Sequence, residues 1–339
     1  MDGDFIKKIL LSKYTKYSVL RKQFEKVMGS NVPGNTVNMF IDIQSVFSSI
    51  YSPQTLEYFS QINQKDQFLL ASVILGMIGH YRHFFYSKTN LYSNIFLYHS
   101  SLESERKKDF YSEYKRDFYE KRLNLESSDY GNLNRVFKDN LEIMNIISLY
   151  IPHAYVVDSF KLDDSSVPLF LIREMKAEDS LNIILTNNLL TYPMMSLQNL
   201  RNTFIMSSRR EKSQIYTNNE IIEAFTKAKS ITPINKEILV NYMPFVIGLG
   251  GYKKLNIPRI GNFTYLKAIK VLTKLFQSEQ IPLVPTVGGE KLVIKHLMKN
   301  NLSATAGLEL LRNLNLLDME GDINSMPASN KVKIFSNLR

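Results

Sequence analysis

Four short apolar runs separated by helix-like stretches constrain this chain more than any single motif does. The runs are Val37 to Asp42, Asn94 to Tyr98, Ala154 to Val157 and Leu181 to Thr186, with helical spacing over 65 to 87, 133 to 149 and 167 to 176 between them. Strands this short and apolar are buried, and strand–helix alternation predicts a mostly parallel sheet with helices on both faces. Arg201 to Met206 adds a candidate strand, and Gln214 to Tyr216 an edge piece. The first run ends in Asp42, and Asp163-Asp164 lies where the third gives way to the helix from Val167 to Lys176. The carboxyl end of a parallel strand is where α/β proteins place chemistry, and adjacent acids there can present oxygens to divalent metal ions. Lys161 opposes that use, because an ammonium beside Asp163 neutralises the charge a hard cation needs. At about 4 Å two unit charges interact by roughly 1 to 4 kcal/mol, enough to compete with a weak one-metal site.

With 339 residues, 44% of them apolar, the chain can bury a substantial core. The absence of Cys removes disulfides and thiolate metal sites and fits a reducing, intracellular setting. No apolar run approaches about eighteen residues, and Met1-Asp2-Gly3-Asp4 does not open a signal peptide, which argues against membrane insertion and secretion. A balance of 42 Lys+Arg against 32 Asp+Glu leaves +10, which points to a polyanionic partner or to a basic, well-solvated surface.

Two stretches could carry that partner. Residues 100 to 122 hold Arg106, Lys107, Lys108, Lys115 and Arg116 interleaved with Tyr111 and Tyr114. Bases neutralise phosphates and rings stack on nucleobases, although Glu103, Glu105, Asp109, Glu113, Asp117 and Glu120 would equally pair with those bases on a solvated helix. The second stretch, Gly251 to Gly261, precedes a helix over Thr264 to Phe276 and contains Lys253, Lys254, Asn256 and Arg259, with Lys267 beyond. A glycine-rich turn before a helix offers backbone amides to phosphate, and it also reads as a plain surface turn. Further helices are expected at 219 to 229, 236 to 248, 290 to 299 and 304 to 314. Residues 5 to 28 space Phe5, Ile9, Leu20 and Phe24 as an amphipathic helix, which reads chiefly as a packing helix on the main body. His80 and His83 are read as packing or surface residues, since no third ligand is near.

The ordered series of motifs resembles the flap endonuclease and phage 5′-nuclease family, with its PIN-like fold. Phe40-Ile41-Asp42 matches the family's first acid-ending strand, and Tyr111-Ser112-Glu113-Tyr114-Lys115 its Tyr-Pro-Glu-Tyr-Lys arch core. Lys161-Leu162-Asp163-Asp164 resembles Glu-Ala-Asp-Asp, and the segment from Gly251 to Gly261 resembles the helix-three-turn-helix motif. The resemblance implies metal ligands at Asp42, Asp163 and Asp164. The positions where it implies further acids hold His99 or Ser100, Lys161, Asn188, Tyr252 and Leu255. Enough for at most one Mg2+ or Mn2+ remains. The motif's potassium site, formed by backbone carbonyls, does not depend on the missing acids.

The resulting expectation is an α/β protein with a mostly parallel central sheet and a C-terminal helical helix-three-turn-helix region. Its parts are an amphipathic extension at 1–36, a 5′-nuclease-like domain at 37–217 with a basic arch at 100–122, the helical region at 218–317, and a weakly ordered tail at 318–339. The favoured function is a catalytically degenerate protein of viral or phage nucleic-acid metabolism. It would grip DNA with a single-stranded or flapped end, or RNA, without needing a metal. An active one-metal 5′-nuclease, and an assembly subunit docking through residues 5–28, stay open beside it.

Overall fold

The computed structural model describes residues 24, 35–43, 45–46, 66–99, 105–114, 140–158, 162–188, 191, 202–207, 214–215, 231–285 and 289–325. Its sheet contains β1 (Val37–Asp42), β2 (Ser93–His99), β3 (Ala154–Asp158), β4 (Leu181–Leu185), β5 (Thr203–Ser207) and β6 (Gln214–Ile215), in the order β3-β2-β1-β4-β5-β6. All neighbouring pairs are parallel except β5 with β6. The chain winds outward from β1 through β2 to β3, then returns to place β4 on the other side of β1. That reversal makes the carboxyl end of β1 a topological switch point, the usual crevice of an open α/β sheet.

Alternation along the strands sorts side chains into two layers. Met39, Ile41, Ile95, Leu97, Ile183 and Leu185 point to a core shared with α1 (Asp66–Thr89) and α2 (Asn140–Tyr150). Phe40, Phe96, Val157, Ile184 and Ile205 point to the other core, built with α3 (Val167–Glu174) and the C-terminal helices. Phe96 stacks on Phe40 and on Tyr155, with centroids 5.1 and 5.3 Å apart, so aromatic packing crosses three adjacent strands. Phe24, from the amphipathic stretch, packs edge-on against Phe84 and Phe85 of α1; the rest of residues 5–28 lies outside the described residues.

Polar side chains fix the amino end of the sheet. The Asn94 carboxamide donates to Asn38 (3.1 Å), Asn38 donates to Asn182 (3.0 Å), and Asn182 donates to the Ala177 carbonyl (2.8 Å). The three residues lie in register on β2, β1 and β4. A buried carboxamide left without partners would cost about 1–3 kcal/mol per group, so this ladder favours the observed strand alignment.

The C-terminal region comprises α4 (Pro233–Asn241), α5 (Met243–Gly250), α6 (Tyr265–Gln277), α7 (Glu290–Asn300), α8 (Ala304–Leu317) and α9 (Met319–Asn324). Two expectations need correction. The single helix expected over 236–248 is broken at Tyr242, whose φ of −115° leaves the helical region. Pro244 has no N–H to bond the Val240 carbonyl, and its ring would crowd that oxygen in a continuous helix. The tail expected to be weakly ordered from 318 instead begins with α9. Asp318 caps it by accepting from the Gly321 amide (2.9 Å), and Met319 and Ile323 are buried in the core. No helix among the described residues is long and apolar enough to cross a membrane.

Candidate functional site

The carboxyl end of the sheet gathers the acids. Asp42 closes β1 and is buried, with Tyr98 across from it on β2. His99, one of the two positions at which the resemblance would put an acid, ends β2 in backbone register with Asp158 of β3. Burial, and then the charges of Asp42, Asp164 and Asp163, push the Tyr98 hydroxyl well above the ordinary tyrosine range. All three expected carboxylates therefore act on one buried phenol.

Donors from within the chain occupy these acids. Asp42 Oδ1 accepts from the Ser45 amide (3.3 Å), and its Oδ2 from the hydroxyls of Ser45 (2.5 Å) and Thr186 (3.0 Å). Asp163 Oδ1 accepts from the amide (3.1 Å) and hydroxyl (2.5 Å) of Ser165, and its Oδ2 from the Tyr114 hydroxyl (3.3 Å). Asp164 accepts from the Ser165 amide (2.8 Å). Asn188, where the resemblance would place another acid, uses its amide to bond the Thr186 hydroxyl (3.1 Å). Among the described residues no three His, Asp or Glu side chains group as a metal site. A pair of hard cations needs several carboxylate oxygens turned toward a shared point. Here both oxygens of Asp42 and of Asp163 are directed at hydroxyl and amide protons, so this donor set does not fit a two-ion centre.

The arch base departs from expectation. Glu105–Phe110 forms a short helix, followed by a turn through Tyr114. Lys107 and Tyr114, both expected to face nucleic acid, are buried. Lys107 Nζ lies 3.6 Å from Asp163 and 3.9 Å from Asp322, over the Tyr114 ring at 5.6 Å. Arg106 reaches α9: it pairs with Asp318 (3.0 Å) and donates to the Asp318 carbonyl (3.2 Å). A Cβ on Gly321 would fall 2.2 Å from that guanidinium, so the bare glycine makes room for the contact. The Tyr111 ring is covered by Arg312 at 4.7 Å. Charge pairs and ring contacts within the chain thus use the side chains that pattern alone assigned to phosphates and bases. Lys115, Arg116 and Lys161 lie outside the described residues, as do the side chains of Lys108 and Lys254.

The hairpin between α5 and α6 is shaped by residues with positive φ. Gly251 has φ +74°, and a Cβ there would meet the Arg259 amide nitrogen at 2.6 Å. Tyr252 and Ile257 form an antiparallel bridge, Asn256 is left-handed at φ 55°, and Gly261 has φ 49°. These conformations favour Gly and Asn on steric grounds. Asn313 of α8 donates to the carbonyls of both Gly248 (2.7 Å) and Pro258 (2.8 Å), and the Tyr265 hydroxyl donates to the Gly251 carbonyl. Tyr252 and Leu255, at two further positions where the resemblance would place acids, pack against the core. Thr264 caps α6 by accepting from the Lys267 amide (3.2 Å).

Lys253, Arg259 and Lys267 are exposed around this hairpin. Lys270 and Lys274 continue the exposed line along α6, a helix with no acidic residue. Successive spacings of three and four, from Lys267 to Lys270 to Lys274, put them on one face. That spacing is visible in the sequence, just beyond the glycine turn.

The architecture is that of a 5′-nuclease, a PIN-like α/β fold carrying a helical C-terminal region. Particular solved structures agree with it over nearly the whole chain. Bacteriophage T5 5′-exonuclease with bound zinc superposes with a TM-score of 0.58 at 12% identity, covering 89% of this chain and 98% of that one. The T5 protein co-crystallised with metal ions gives 0.57 at 11% identity, with the same coverage. A T5 flap endonuclease pseudo-enzyme–product complex with DNA and metal ions gives 0.57 at 12% identity, covering 89% and 97%. No protein-family model and no curated protein matches the sequence.

Proposed function

We propose that this chain is a 5′-nuclease fold that has given up metal-dependent cleavage and retained the grip on nucleic-acid backbone. One contrast within the site carries the reading. The strand-end carboxylates are turned inward onto Ser45, Thr186, Ser165, Tyr114 and Lys107, whereas the cations of the hairpin and α6 are exposed, Lys267 resting over Phe263 with a hydrogen bond to Asn262. An outward cationic line beside a rigid hairpin suits phosphates at regular spacing and carries little base information. One of the similar T5 structures is described as a pseudo-enzyme holding DNA product, which makes duplex DNA with a flapped or single-stranded end the first ligand to test. The hairpin is braced by Asn313 and Tyr265.

The deciding experiment pairs binding of a labelled flap duplex in chelator with cleavage of the same duplex in Mn2+. Binding is expected without cleavage, and affinity should fall steeply over a roughly fourfold rise in salt. Replacing Arg259, Lys267 or Lys270 with Ala should weaken binding similarly for all sequences and lower the salt slope by about one per residue. Cleavage abolished by Asp163→Ala would establish the enzyme instead, and negligible affinity at low salt would remove the nucleic-acid reading.

A further inference from the structure

The acid cleft does not fit a pair of divalent ions, yet it still concentrates carboxylates in a buried place. Asp163 and Asp322 are each only 2–3% exposed, and Asp42, at the end of β1, is buried as well. Carboxylates buried this deeply need a compensating positive charge. The Lys107 side chain, fully buried, brings its ammonium to 3.6 Å from Asp163 Oδ1 and 3.9 Å from Asp322 Oδ2. Asp322 also accepts from the Asp163 backbone amide (3.2 Å), which ties α9 to the loop that carries the acids.

We infer that Lys107 is a resident cation: its ammonium, clasped between Asp163 and Asp322, performs the charge compensation that a metal ion would otherwise supply in this cleft. The observations behind it are the burial of the ammonium, its two carboxylate neighbours from distant parts of the chain, and the Tyr114 ring beneath it. Arg106, the preceding residue, clamps the same short helix to Asp318, so the arch base and α9 hold the ammonium in place from both sides. The inference rests on the reading of the cleft as non-catalytic, but it concerns what holds the cleft together rather than what the hairpin binds.

The test is thermal melting of the full chain in Mn2+ and in chelator. The wild-type melting temperature should be the same in both. Lys107→Ala, which strips the charge and opens space, should melt about ten degrees lower in chelator, and Mn2+ should restore a substantial part of that loss. In case the single variant does not fold, Lys107→Met combined with Asp322→Asn removes one charge of each sign and keeps an acceptor for the Asp163 amide. That pair should fold, melt within a few degrees of wild type and ignore Mn2+. A wild-type melting temperature that rises with Mn2+, a folded Lys107→Ala that gains no response to Mn2+, or a double variant damaged as badly as the single one overturns the inference. Flap-duplex binding measured in chelator on the same wild-type preparation reports on the proposed function separately, since its loss would leave the melting results intact.

Discussion

The acid cleft and the glycine hairpin sit in one chain, and they are held by different kinds of contact. At the cleft the carboxylates at and beside the strand ends accept from hydroxyls and backbone amides and lie near a buried ammonium. At the hairpin Tyr252 and Leu255 pack against the core, while Gly251, Asn256 and Gly261 hold positive-φ backbone conformations. The difference follows from what each element supports. A carboxylate can change partners by local rotation, whereas the hairpin backbone is locked by Asn313 and Tyr265 from two separate helices and cannot change without loosening both.

That contrast can be broken most forcefully at Gly251. Gly251→Ala places a Cβ against the Arg259 backbone at a positive φ, and denaturant unfolding should show a loss of about 3 kcal/mol, with flap-duplex affinity falling in parallel. Asn313→Ala leaves the Gly248 and Pro258 carbonyls without their donor; a loss of about 2 kcal/mol is expected by the same measurement. Asp42→Asn weakens the bonds from Ser45 and Thr186 and should cost about 1 kcal/mol, while leaving affinity in chelator unchanged. A binding defect as large as that of Gly251→Ala would erase the distinction between the two regions. The smallest effect is at Tyr98. Its folded-state pKa is raised, so its contribution to stability is fully present below the unfolded value and is lost as pH rises from about 10. Tyr98→Phe should flatten the decline of melting temperature in that alkaline range.

Much of the fold was legible because its signals are local. The strands announced themselves as apolar runs, and four of the five parallel strands begin and end within a residue or so of where pattern placed them. The hairpin was legible because only Gly and Asn suit its backbone. The arch base was not, since Arg106 and Lys107 read as surface bases when taken with their sequence neighbours. Only the fold brings Asp318 and Asp322 from the far end of the chain to neutralise them. The same distance concealed α9: six residues with a modest apolar content look like fraying until Met319 and Ile323 are seen in the core. The break at Tyr242 could have been read from Pro244, whose missing donor is a local fact.

The asparagine ladder has a consequence for the opposite rim of the sheet. Because Asn94, Asn38 and Asn182 interlock β2, β1 and β4, none of these strands can slide past its neighbour by a single step without turning a carboxamide into the hydrocarbon layer. The ladder therefore works as a vernier stop: it sets the height at which Tyr98, Asp42 and Thr186 emerge, however much the loops above them are rebuilt.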